Sequence, residues 1–208
     1  MITTIKKSFL TLFLSASFFG AFAQKSIREG VATYRVENSQ GINDTKVYFK
    51  ENISRVDVES GPATVKVYTD VENHLGMIVI DVDEAEQYLA AKISKEELQA
   101  QRVNSPVYSD FVATTDTQMI GSYNSTRYTF KDNKGGSHEL WATKDISLPK
   151  NALTRLFNVE GTVVKFKTSD NTTLLTGVNE ESTDEMSVTK VPSGYTELTL
   201  KELMEMGG

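Results

Sequence analysis

The chain has 208 residues, with 22 basic and 28 acidic side chains, a formal net charge of −6, two histidines and no cysteine. The acidic balance argues against nucleic acid, where basic patches set affinity, and against electrostatic adhesion to anionic lipid headgroups. The lack of cysteine excludes disulfides, thiol nucleophiles, thiolate metal sites and iron–sulfur clusters.

Lys6-Lys7 precede an apolar run from Ser8 to Phe22, which closes on Ala21-Phe22-Ala23, the small-x-small pattern of a signal peptidase site. The run is about 15 residues, shorter than the roughly 20 that span a bilayer as a helix. Residues 1–23 are therefore expected to be a signal peptide cleaved after Ala23. Residues 24–208 are expected to form a single exported domain, periplasmic or secreted, with no membrane span after cleavage. Loss of Lys6 and Lys7 leaves 20 basic against 28 acidic residues, a net charge of −8. No linker or repeat divides this segment, and its length is enough to bury a core without covalent staples.

Val31–Glu37 alternates, with Ala32, Tyr34 and Val36 on one side. Gly41–Asp44 reads as a turn, and Lys46–Lys50 alternates again. After a turn at Asn52, Ser54–Glu59 sets Val56 and Val58 against Arg55 and Asp57. Gly61-Pro62 ends that strand, and Ala63–Thr69 sets Val65 and Val67 against Lys66 and Tyr68. Four strands at spacings of about ten residues predict an antiparallel meander. After the Glu72-Asn73-His74 turn, Leu75–Val82 is nearly all apolar, as in a mid-sheet strand. Gln87–Ala91 continues the sheet. Ser94 and Glu97 form a capping box that opens a helix running to about Arg102.

Met119–Asp132 reads as one long strand, followed by a hairpin turn over Asp132–Gly136 and a returning strand over Ser137–Thr143. Pro149–Phe157 reads as a short helix with Pro149 at its first position. Thr162–Lys167 and Thr172–Val178 form another hairpin, Met186–Val191 a last strand, and Thr199–Met206 a terminal helix. The sum is an α+β domain. A large curved antiparallel sheet of nine to eleven strands has two or three short helices over its concave face.

The residues offer little chemistry. Neither His74 nor His138 neighbours a nucleophile elbow. His138 and Glu139 are adjacent on a strand and point to opposite faces. Asp81–Glu86 lacks the sixth-position glycine of a calcium loop. No catalytic residue, metal site or cofactor is assigned. The aromatic residues stand at alternating strand positions, either as core or as the lining of an apolar groove. For such a groove the candidates are Tyr34, Phe49, Val67, Phe130 and Phe166.

Ile120-Gly121-Ser122-Tyr123 through Tyr128, followed by Glu139-Leu140-Trp141-Ala142-Thr143-Lys144-Asp145-Ile146, resembles a family of exported bacterial domains of unknown function. Its signature is an Ile-x-Gly-Tyr strand and a Trp-x-Thr-x-Asp-Ile strand. The stretch from Tyr48 through Arg55-Val56-Asp57 and the Thr69-Asp70 step are also similar to it. Here Ser122 intervenes between Gly121 and Tyr123. That family is distantly similar to the LolA/LolB-type periplasmic lipoprotein carriers. The resemblance implies an incomplete β-barrel that binds acyl chains, with Gly121, Tyr123, Tyr128 and Trp141 as structural signature residues. The leading expectation is thus a non-catalytic carrier with a lipid or other apolar ligand. The alternative is an envelope module that meets a protein partner through its surface. An enzyme with unassigned carboxylates is a third reading.

Overall fold

The computed structural model describes residues 24–102 and 105–206, so the expected signal peptide lies outside the described residues. The strands are β1 (Lys25–Ser26), β2 (Glu29–Asn38), β3 (Gly41–Lys50), β4 (Ile53–Ser60), β5 (Ala63–Asp70), β6 (Leu75–Val82) and β7 (Gln87–Ile93). Helix α1 (Lys95–Arg102) precedes β8 (Tyr108–Ile120), β9 (Tyr123–Asp132), β10 (Ser137–Thr143) and β11 (Ile146–Ser147). Then follow β12 (Thr162–Lys167), β13 (Asn171–Asn179), β14 (Thr196–Leu198) and α2 (Leu200–Met206). Twelve strands form one sheet in the order β14-β7-β6-β5-β4-β3-β2-β13-β12-β10-β9-β8, while β1 and β11 make a separate parallel pair.

The sheet exceeds the expected strand count and is mixed, because β14 joins β7 in parallel. Four local expectations are corrected. Gly41–Asp44 is strand, and the turn is Ser39-Gln40, where Asn38 Oδ1 accepts the Gln40 N–H at 2.8 Å. Met119–Asp132 is two strands, since Gly121 takes a left-handed φ of 59° and Ile120 pairs with Tyr123 across a two-residue turn. Pro149–Phe157 makes two short turns, Asn151–Arg155 and Thr154–Phe157, that do not join into a helix. Asn151 Oδ1 accepts the N–H groups of Leu153 and Thr154, and its Nδ2 donates to the Tyr34 hydroxyl. The side chain thereby fixes a local turn and a tertiary contact where a helix would continue. Met186–Val191 joins no strand, because Ser187 Oγ accepts the N–H groups of Thr189 and Lys190 and bends the chain.

The capping box is present: Ser94 Oγ accepts the Glu97 N–H, and the Glu97 carboxylate accepts the Ser94 N–H at 2.8 Å. Thr199 and Glu202 repeat it at α2. On α2, Leu200 and Leu203 are buried, but Met204 faces outward.

Register sorts the side chains onto two faces. The Phe49 face carries Gly30, Phe49, Ser54, Thr69, Gly76 and Ile93 in one cross-strand row. The Tyr68 face carries Tyr48, Arg55, Tyr68 and Met77 in the corresponding row. The Phe49 face is covered at two places. Leu148, Leu153 and Phe157 of the segment after β11 pack over Tyr34, Phe49, Phe130 and Phe166. At the other end, Leu98 of α1 and Leu200 and Leu203 of α2 pack over Ile78, Leu89, Ala91 and Ile93. The Tyr68 face is crossed by the irregular segment 180–195, which buries Met186 and Val188 against Tyr68, Met77, Val79 and Ala90. Each large apolar side chain so buried contributes about 1.5–3 kcal/mol.

Candidate functional site

Between the two covers of the Phe49 face runs an aliphatic row: Ala32, Val47, Val56, Val67, Ile78 and Ala91, contributed in turn by β2 to β7. A second row beside it is Val58, Val65, Ile80 and Leu89. The first row is buried at both ends, at Ala32 and Val47 and at Ala91, and the second at Leu89 alone. Between these ends Val56, Val65, Val67, Ile78 and Ile80 are half-buried, and Val58, which begins the second row, is 48% exposed. Strand spacing makes this patch about 10 Å across β4–β6, and two rows extend about 7 Å along the strands. Its side chains carry no donor, acceptor or charge. What such a trough can do chemically is shelter hydrocarbon.

The five groove candidates all lie on the Phe49 face, but they do not line one groove. Val67 sits in the trough. Tyr34 and Phe49 are each 1% exposed and belong to one packed cluster with Ile27, Trp141 and Ile146. Phe130 and Phe166 belong to another, centred on Phe157. Tyr34, Phe49 and Phe166 are therefore packed under the segment after β11, while Phe130 also borders an opening at the β8–β10 end. The valines and isoleucines of β4–β6 form the trough instead. Their alternation was visible in the sequence, but cross-strand register was needed to align them.

The signature residues are structural in their contacts. Gly121 makes the β8–β9 turn, Tyr123 packs against the Trp141 cluster, and Tyr128 against the Phe130 cluster. Thr143 Oγ1 donates to the Asn124 carbonyl at 2.7 Å, and Asp145 Oδ2 accepts the Asn124 N–H at 2.7 Å. The Trp-x-Thr-x-Asp-Ile run thus ties the β10–β11 connection to β9 and buries Ile146.

Beyond Phe49, the trough changes character. Ser54 is 1% exposed, and its Oγ has no hydrogen-bond partner. Past Ser54 and Thr69 lie the β3–β4 and β5–β6 turns, which Asp70 clamps together. Its carboxylate accepts from Asn52 Nδ2 at 2.8 Å, from the N–H groups of Glu72 and Asn73, and from Asn73 Nδ2. These turns, with Ser26–Arg28 and Ser147–Lys150, wall a cavity of about 510 Å³. A larger opening, about 1060 Å³, lies at the β8–β10 end and is lined by Phe111, Phe130 and His138 with Arg127, Lys131 and Lys167.

Several titratable groups away from the trough are engaged in local bonds. His138 Nε2 lies 2.7 Å from Asp132 Oδ2. That bond and the N–H groups of Gly136 and Lys134 hold the Asp132 carboxyl below its ordinary range. His74 occupies a turn with φ of 56°. On the Tyr68 face, Tyr195 donates to Asp81 at 2.7 Å, and Lys66 meets the same carboxylate at 2.6 Å. Burial, then the bond to Asp81, pushes the Tyr195 hydroxyl pKa strongly up. Asp81 is thus occupied by side chains. Among the described residues no group of three or more His, Asp or Glu could hold a metal ion, and no helix is long and apolar enough to cross a membrane.

No protein-family model matches this chain, and no curated protein matches it. Fold and site together define an α+β domain with a large open sheet and one partly uncovered aliphatic trough.

Proposed function

We propose that this chain is an exported, non-catalytic carrier of the LolA/LolB kind, which shelters an acyl chain against the trough. The observation that carries the reading is the pair of aliphatic rows, the first buried at both ends and the second at Leu89, and only half-covered from Val56 and Val58 to Ile80. An acyl chain laid there would remove apolar surface from water at about 25 cal/mol per Å². The test is native mass spectrometry of residues 24–208 purified from their own cell envelope, followed by uptake of a labelled fatty acid. A lipid adduct, or saturable uptake, is expected. The double variant Val65→Thr/Val67→Thr keeps shape and strand preference but adds two hydroxyls, and uptake should weaken about tenfold. A clean apo mass with no uptake of fatty acid or phospholipid refutes the carrier.

A second reading, an envelope interaction module, is favoured by β8. It is one edge of the sheet, β14 being the other, and Val112 and Met119 on it are exposed. An unpaired edge is a template for strand addition. A photo-crosslinker at Val112 that captures no envelope protein counts against it.

A further inference from the structure

Three features lie in line along β4 and β5 on the Phe49 face. Val58/Val65 and Val56/Val67 form the trough, Ser54/Thr69 come next, and Asn52/Val71 at the turns open into the 510 Å³ cavity. The order runs from wholly apolar, through a hydroxyl pair, to a charged rim. The rim holds Arg28, Lys150, Glu51 and Glu72, two of each sign. Arg28 and Glu51 are only loosely paired at 3.9 Å, and neither Lys150 nor Glu72 makes an ion pair among the described residues. The Ser54 Oγ is a second, independent sign, since a buried hydroxyl without a partner keeps its full desolvation cost. A ligand oxygen placed against it would offset that cost.

From this order we infer that trough and cavity together take one amphiphile, tail first: a single-chain phospholipid with a zwitterionic head. The acyl chain lies on Val56, Val58, Val65 and Val67. The ester at the joint meets Ser54, and the amine and phosphate meet the balanced rim. The cavity volume is within the range of small-molecule sites. Ser54 is closed from solvent and stands two residues behind Asn52 of the cavity wall, so entry requires the cover on its cross-strand partner Phe49 to shift. Leu148, like Ile27, both walls the cavity and packs with the cluster holding Phe49. The inference rests on the carrier reading and adds to it an orientation and a head class.

The experiment titrates the wild-type protein with lysophosphatidylethanolamine and with a fatty acid of equal chain length. The zwitterionic lipid should bind about tenfold more tightly, because only it supplies charged bonds of both signs to the rim. Ser54→Ala should weaken the lysophospholipid about 2- to 12-fold, while the melting temperature of the free protein holds or rises. Lys150→Gln/Glu72→Gln should erase the preference between the two lipids. If neither lipid binds, the carrier reading itself falls. If both bind equally and Ser54→Ala changes neither affinity, the head site falls and the carrier stands. A lower melting temperature in Ser54→Ala also overturns the head site, by making Ser54 a structural hydroxyl.

Discussion

Tyr34→Phe should have opposite effects on stability at neutral and at alkaline pH. Tyr34 is 1% exposed, and its hydroxyl accepts a hydrogen bond from Asn151 Nδ2 at 3.1 Å. At pH 7 the variant strands that amide donor in the core, at a cost of about 1–2 kcal/mol. Burial pushes the Tyr34 pKa up to about 12, from an ordinary 10.0. A pKa raised by folding gives a contribution fully present below pH 10 and lost as pH climbs through about 12. Two units are worth about 2.7 kcal/mol in total, of which about 1.4 is gone by pH 11. Phenylalanine cannot ionise, so the deficit of the variant should shrink above pH 10 and vanish or invert near pH 12. Tyr88, Tyr108 and Tyr195 are also raised, and they act equally in both proteins. Urea unfolding from pH 7 to 12, followed by fluorescence of Trp141, the only tryptophan in the chain, measures the difference directly. Trp141 belongs to the same packed cluster as Tyr34. Parallel stability curves over that whole range would refute the argument.

Ser94→Ala removes the cap of α1 and should cost about 1 kcal/mol, read as a lower urea midpoint. An unchanged midpoint would mean that Leu98 packing alone holds the helix. Gly161→Ala should cost about 2–4 kcal/mol. Gly161 has φ of 93°, and a Cβ there would overlap the Thr143 carbonyl oxygen. A variant that melts with the wild type would show that the turn before β12 can open without penalty.

Most of the sheet was legible because alternation and turn chemistry are local. Lys46–Lys50, Ser54–Glu59, Ala63–Thr69 and Leu75–Val82 all fall within strands, and Ser94 and Glu97 marked α1. The misses share a cause that is not local. Asn151 stops a helix because it can reach the Tyr34 hydroxyl, 117 residues away in sequence. Met186 and Val188 alternate with Ser187 and Thr189, yet they pack onto a sheet face without entering a ladder. Strand β8 lacks alternation because it is an edge, exposed on both sides, with register shifts at Ser109/Val112 and Ala113/Thr117. The trough was half legible. Val56, Val58, Val65 and Val67 were on one side of their strands by parity, but whether that side was covered depends on residues 148–157 and on α1 and α2.

Coverage of the two faces gives the trough its meaning. On β4–β6 the polar residues Arg55, Asp57, Lys66 and Asp81 lie on the Tyr68 face, beneath or beside the segment 180–195. They must be satisfied there. Arg55 lies 2.9 Å from Asp57, stacks 4.2 Å over the Tyr48 ring and approaches Asp184, while Asp81 takes both Lys66 and Tyr195. The valines and isoleucines of the same strands lie on the face left partly open. A pattern set by solubility alone would be the reverse, with charges toward water and aliphatics under the cover. Burying charge costs free energy unless each group is paired, and exposing Val58 forfeits hydrophobic stabilisation. Both costs disappear as an anomaly if the open face is closed in the working protein by hydrocarbon that is not part of the chain. That is why the aliphatic trough, rather than the packed Tyr34–Phe49 cluster of the same face, supports the carrier reading.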